Sequence, residues 1–164
     1  MPLTTDIVAT YRAPGAVIGR ILARGQREDR ALAILMAGCA LVFVSQWPRL
    51  AREAHLESTD LDPLLGGALM AWLFIAPLLL YALAALSHLL ARVFGGQGSW
   101  FGARLALFWA LLASAPLVLL HGLLAGLAGD GPGLRIVGAL WLVTFIWFWI
   151  AGLVRAERAE TQET

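Results

Sequence analysis

The residues of this chain that could do chemistry are a few hydroxyl, amide and imidazole groups inside long apolar stretches. They are Ser45, Gln46, Ser87, His88, Ser114, His121 and Thr144. A polar group in hydrocarbon is costly, so each is a candidate functional residue by default. None of them is a carboxylate, and the acid that would complete a Ser–His–Asp set, Asp130, follows the third apolar stretch in a loop. We therefore expect no catalytic residues and no enzyme.

Two histidines, His88 and His121, could each titrate near neutral pH and so form a candidate polar path for protons or ligands. We expect them about half a membrane apart, too far to share one metal ion. His55 lies in a loop, and Cys39 is the single cysteine, which rules out a disulfide framework or a cysteine-based metal cluster. We expect no metal and no cofactor.

The apolar stretches have the length of membrane spans. Twenty-nine residues separate Asp62 from Arg92 without a charge, and three similar stretches lie around them. The hydrocarbon core is about 30 Å thick, so about 20 apolar residues at helical rise cross it. The sequence predicts an all-α, polytopic membrane protein with a four-helix transmembrane bundle at residues 31–154. Its spans are predicted at residues 31–48, 64–91, 105–128 and 135–154.

The arginines predict the orientation of these spans. Nine lie in the N-terminal segment, the second loop and residues 155–164, against three in the other two loops. The positive-inside rule then places both termini in the cytoplasm, with residues 155–164 as a tail. The twelve basic residues are balanced by eleven acidic ones, which argues against a nucleic-acid partner.

Residues 1–30 form a cytoplasmic amphipathic segment. Val17, Ile18 and Ile21 recur at helical spacing opposite Arg20 and Arg24, which predicts a helix lying in the membrane interface. One interpretation is a membrane-surface sensor or docking face. The other is an anchor that lies against the protein's own spans with its arginines at the lipid headgroups.

Small and aromatic residues predict where helices associate. Gly122 and Gly126 form a GxxxG pair in the third span, and Ser114 belongs to a small-xxx-small pair beside it, so helices can approach closely there. The fourth span carries Trp147 and Trp149, which can contact lipid or a partner helix. We expect these five residues to mediate helix packing or interaction.

A glycine-rich segment separates the second and third spans. Gly95, Gly96 and Gly98 are predicted to form the turn, and Ser99 is predicted to cap the next helix. The segment is not a phosphate-binding loop, because no GK[ST] follows it and GxGxxG fails at Phe101. Pro48 is predicted to end the first span.

Residues 89–116, LLARVFGGQGSWFGARLALFWALLASAP, resemble the signature region of the Yip1 domain family. In that family a basic residue and a Gly-Gly-x-Gly-Ser/Thr-aromatic turn are followed by a small residue and a proline in the next span. The corresponding positions here are Arg92, Gly95, Gly96, Gly98, Ser99, Trp100, Ser114 and Pro116. The resemblance implies a multispan protein with cytosolic termini and no known catalysis. Eukaryotic members are implicated in vesicle trafficking, Rab GTPase binding and membrane shaping. Similarity to bacterial members implies the inner, or cytoplasmic, membrane.

Short loops, close-packing motifs and the lack of a catalytic set favour a non-enzymatic accessory, scaffold or interaction subunit that acts through its transmembrane helices. The expected partners are the lipid bilayer and other membrane protein chains, or a second copy of this one. An alternative is small-molecule, proton or lipid transport through a bundle kinked at Pro77 and Pro116. A third is membrane shaping by the N-terminal helix.

Overall fold

A computed structural model describes residues 3–158, and this part of the chain is helical with no strand. The helices are α1 (Leu3–Thr10), α2 (Pro14–Leu22), α3 (Glu28–Glu57), α4 (Leu61–Met70), α5 (Ala76–Val93), α6 (Trp100–Ala113), α7 (Ala115–Leu127) and α8 (Pro132–Arg158). A π-helical turn, Ala71–Ile75, joins α4 to α5. The all-α prediction is confirmed for the described residues.

Three helical segments are long and apolar enough to cross a membrane: α3, the continuous run Leu61–Val93, and α8. Helices α6 and α7 pass the same test only together, and they are bent by 43° at a break. The break is at Ser114, just before Pro116, as expected because proline lacks the N–H that would continue the helix. The described chain thus has three candidate spans, or four if the bent pair is one, consistent with a multi-pass membrane protein.

Two helices run past the residues predicted to end their spans. Helix α3 does not end at Pro48 but continues through it to Glu57. A proline inside a helix removes one hydrogen bond, and here the backbone around it is held against the neighbouring helix α7 at Gly126. Helix α8 runs past residue 154 to Arg158, so the tail predicted for residues 155–164 begins as helix. Residues 159–164 lie outside the described part.

Helix α6 is the centre of the structure. Twelve of its fourteen residues are buried, because it is apolar on all sides and α3, α5, α8 and the N-terminal helices pack around it. Its largest buried side chains are Phe108 and Trp109. By contrast, α4 and the π-helical turn bury no residue, so this half of the second span lies on the outside.

Helix α2 packs against the protein rather than presenting its apolar face to lipid. Val17, Ile18 and Ile21 are all at most 5% exposed and belong to the core. Close approach to α8 is possible because Gly19 lies beside Arg155 and Gly152 lies beside Ile18. Of the two interpretations, the burial of these three apolar residues fits the anchor that lies against the protein's own helices. Arg20 and Arg24 remain on the outer side.

Polar contacts fix α1 and α2 in place. The Trp109 indole N–H donates to the Thr10 hydroxyl at 3.0 Å, and that hydroxyl donates to the Asp6 carbonyl at 2.7 Å. The Asp6 carboxylate forms an ion pair with Arg20 at 3.3 Å. Tyr11, between the two helices, is partly buried, and burial raises the pKa of its hydroxyl. Side-chain hydrogen bonding thus joins the N-terminal segment to α6.

Candidate functional site

A buried imidazole and a buried carboxylate meet where α5 and α8 end. Nδ1 of His88 lies 2.8 Å from Oε1 of Glu157, and their side chains are 1% and 8% exposed. Buried ionisable groups are retained in proteins when they are paired and hydrogen-bonded. In a chain with candidate membrane-spanning helices, such a pair is a candidate functional site.

The carboxylate of Glu157 also holds the glycine-rich turn between α5 and α6. The Gly98 N–H donates to Oε2 of Glu157 at 2.8 Å. The Gln97 N–H donates to the backbone carbonyl of Glu157 at 3.3 Å. One side chain therefore bridges the end of α5, the turn and the end of α8.

The predicted turn residues make this approach possible. Gly95 has a φ of +86°, a left-handed conformation that glycine adopts readily. A Cβ at Gly98 would lie 2.7 Å from Cα of Glu157, and one at Gly96 would lie 2.9 Å from the Ala91 carbonyl oxygen. Both distances are too short for any side chain. Ser99 caps α6 as predicted, since its hydroxyl accepts from the Gly102 N–H at 3.1 Å.

The surroundings of His88 limit what it can do chemically. Its ring lies 4.5 Å from the Trp100 ring, centroid to centroid, and within residues 3–158 its Nε2 makes no hydrogen bond. The Ser87 hydroxyl donates to the Ala84 carbonyl at 2.8 Å, and the Ser99 hydroxyl serves the helix cap. The pair can share a proton and fix the turn, but neither hydroxyl is aligned with the imidazole as a nucleophile.

A cleft of about 440 Å³ opens beside this pair. It is bounded by the turn on one side and the end of α8 on the other, and its lining includes Phe94, Gln97, Leu153 and Glu157. Phe94 is 88% exposed, so the rim of the cleft is apolar. No three metal-ligating side chains come together in the part of the chain that the structure describes.

The second predicted histidine lies elsewhere. A Cβ at Gly138 on α8 would be 3.1 Å from Nε2 of His121, so His121 packs against the first half of α8. His88 contacts Glu157 near the other end of the same helix. Nineteen residues of α8 separate these two contacts, or about 28 Å at helical rise. The structure does not bring the two histidines together.

The predicted packing residues lie at two different places. Gly122 and Gly126 pack against the backbone of α3, where a Cβ on either would lie 2.7 Å from the carbonyl carbon of Ser45 or Pro48 respectively. The GxxxG pair is thus used between two helices of the same chain. Ser114 lies at the break between α6 and α7, where its hydroxyl accepts from the Trp141 indole N–H at 3.2 Å.

The two tryptophans of α8 that were predicted to mediate interaction, Trp147 and Trp149, differ in environment. Trp147 is 49% exposed, on the outer side of the helix. The indole nitrogen of Trp149 is buried and has no hydrogen-bond partner among the described residues. Of these two tryptophans, Trp147 is therefore the one that offers a large exposed surface to lipid or to another chain.

Sequence reasoning missed Glu157, the residue on which the site depends. It lies beyond the last charge-free stretch and was assigned to the tail. A signal was present: Thr144, Phe148 and Gly152, all buried, recur every four residues along α8, and the next turn of that face contains Ala156 and Glu157. Extending the helix by one turn would have placed this acid on the packed face.

No family model, curated protein or solved structure matches this chain. The resemblance to the Yip1 domain family therefore depends on the motif in residues 89–116.

Proposed function

We propose that this chain is a non-enzymatic interaction subunit of a bacterial inner membrane, with both termini in the cytoplasm. It binds another membrane protein chain, or a second copy of itself, through α8. We also propose membership of the Yip1 domain family, supported by the tight fit of Gly96 and Gly98 in the turn.

The observation that carries the proposal is a heptad-like stripe of exposed residues along α8, called here the α8 stripe. It consists of Ile136, Leu140, Val143, Trp147, Ile150 and Val154. Their spacing alternates between four and three residues, and each is at least 43% exposed. A repeat of 3.5 residues keeps one seam of a helix facing a partner helix, as in left-handed helix pairs.

The indole N–H of Trp147, in the α8 stripe, lacks a hydrogen-bond acceptor among the described residues. The indole N–H groups of Trp109 and Trp141 donate to hydroxyls, but that of Trp147 has no acceptor within residues 3–158. Trp147 lies about 16 Å along the helix from Arg158 and about 22 Å from Pro132. If α8 crosses the membrane as proposed, that depth is within the hydrocarbon, where lipid tails offer no acceptor and tryptophan is less common than at the interfaces. A partner helix can supply a carbonyl or hydroxyl oxygen.

Photocrosslinking in the native membrane tests the proposal. A photoreactive residue replaces Val143 in the α8 stripe or, as a matched control, Leu79 on α5, since the two side chains are 66% and 64% exposed. We expect one defined protein adduct from position 143 and mostly lipid adducts from position 79. Mass spectrometry of the adduct distinguishes a second copy from a different chain. Lipid adducts alone at both positions would refute the proposal.

The variant Trp147→Phe separates shape from hydrogen bonding. It keeps an aromatic ring in the α8 stripe and removes only the indole N–H. We expect a lower yield of the adduct at position 143. An unchanged yield would mean that the indole N–H has no role in partner binding.

The packing of the helix ends supports the proposed orientation. Gly19 of α2 lies against Arg155 of α8, and the glycine-rich turn lies against Glu157, so the arginine-rich segments lie at one end of the structure. A C-terminal reporter that fluoresces only in the cytoplasm tests which side this is. Transport and membrane shaping are less well supported, because His88 and His121 are far apart and the apolar face of α2 is packed inside the protein.

A further inference from the structure

A small pocket lies between the N-terminal helices and the start of α3, outside the site described above. Its volume is about 130 Å³. Arg24 and Arg30 line it together with Asp6, and its apolar lining includes Ile34 and Trp109. Two cationic groups therefore share a pocket with an apolar wall, at the end of a candidate membrane span.

The acidic groups around the pocket are already paired with other arginines. Asp6 pairs with Arg20, Asp29 pairs with Arg27, and Glu28 pairs with Arg104. The side chains of Arg24 and Arg30 make no ion pair or hydrogen bond within the described part of the chain. Asp6 is the acidic residue of the lining and is paired with Arg20, so the two arginines of the pocket have no acidic partner among the described residues.

The position of the pocket matches that of a lipid headgroup. Arg30 lies in the first turn of α3, and Ile34 lies one turn further into the span. Two guanidinium groups that line one pocket can bind a phosphate through charge-assisted hydrogen bonds, while the apolar part of the lining can contact the lipid's hydrocarbon. A free phosphate ion would use only the charged half of this pocket.

We propose that Arg24 and Arg30 bind the phosphate of an anionic phospholipid, whose glycerol and first acyl carbons lie against Ile34 and Trp109. Arg24 follows α2 and Arg30 belongs to α3, so one phosphate between them joins the N-terminal segment to the first span. This lipid site does not depend on the partner proposed for the α8 stripe.

Native mass spectrometry of the full chain in detergent tests the site. Phosphatidylglycerol and phosphatidylcholine with the same acyl chains are added in turn, and the bound lipid is counted. We expect one retained phosphatidylglycerol and a preference over phosphatidylcholine that falls about 30-fold in Arg24→Gln/Arg30→Gln. The control Arg12→Gln/Arg92→Gln removes the same charge from two exposed arginines outside the pocket and keeps the preference.

Three results would overturn this inference. Equal retention of the two lipids would show that the site does not select a lipid with a net negative headgroup. An equal loss in both double variants would show that only total charge matters. Displacement of phosphatidylglycerol by millimolar inorganic phosphate would assign the pocket to a free anion instead of a lipid. Unchanged circular dichroism of the variants excludes unfolding as the cause of a loss.

Discussion

Replacing Glu157 with alanine should destabilise the fold by about 3–5 kcal/mol, because two buried hydrogen bonds to one carboxylate are lost and their donors are left without an acceptor. The carboxylate accepts from His88 and from the Gly98 N–H, both at 2.8 Å. Hydrogen bonds to charged groups contribute about 1.5–3 kcal/mol each, which gives a similar total. Both donors lose their acceptor in the variant.

Reversible unfolding in mixed detergent micelles measures this effect, and the chain contains its own probe. Cys39 is the single cysteine and is fully buried, so its alkylation reports unfolding. Glu53→Ala is the matched control, because Glu53 pairs with Arg49 on the exposed side of α3 and should contribute less than about 1 kcal/mol.

A double-mutant cycle with His88→Ala identifies the interaction itself. The two changes should be non-additive by about 1–3 kcal/mol, because each alone already breaks the same contact. A Glu157→Ala variant as stable as the Glu53→Ala control would refute the reasoning. Strict additivity with His88→Ala would also show that the pair does not form.

Three further predictions concern the glycines and the helix cap. Gly122→Ala should destabilise the protein by about 1–3 kcal/mol in the same unfolding assay, because its Cβ would overlap the α3 backbone. The control Gly66→Ala adds a Cβ with nothing within 4 Å, so it should be neutral or stabilising by up to about 1 kcal/mol. Equal effects would contradict the close crossing of α3 and α7. Gly98→Ala should free the turn from Glu157, so amide hydrogen exchange at residues 95–99 should rise, and unchanged exchange would count against this fit. Ser99→Ala should cost about 1 kcal/mol through loss of the α6 cap and should raise exchange at Gly102.

Local sequence signals predicted the features that depend on local chemistry. The long apolar helices that are candidate membrane spans follow from apolar length, the α6 cap follows from Ser99, and the break at Ser114 follows from Pro116. Each of these depends on the preferences of a few adjacent residues. These features can therefore be predicted from the sequence without knowledge of the tertiary contacts.

Tertiary contacts determined what the sequence could not show. Pro48 looked like a helix end, but α3 continues because its backbone packs on Gly126. Glu157 looked like a tail residue, yet it lies buried against His88, 69 positions earlier in the chain. Val17 and its neighbours looked interfacial because amphipathicity indicates an apolar face without indicating what covers it.

The packing of α2 on α8 sets the order in which this protein can be completed during synthesis. Gly19 leaves the ribosome more than a hundred residues before Arg155, the side chain against which it finally lies. At synthesis rates of about 5–20 residues per second that interval is on the order of 10 s, during which the apolar face of α2 has no α8 to cover it. Until then the membrane interface is the available apolar surface for this helix. We therefore expect the apolar face of α2 to lie at the membrane interface during synthesis and to pack against α8 in the folded protein.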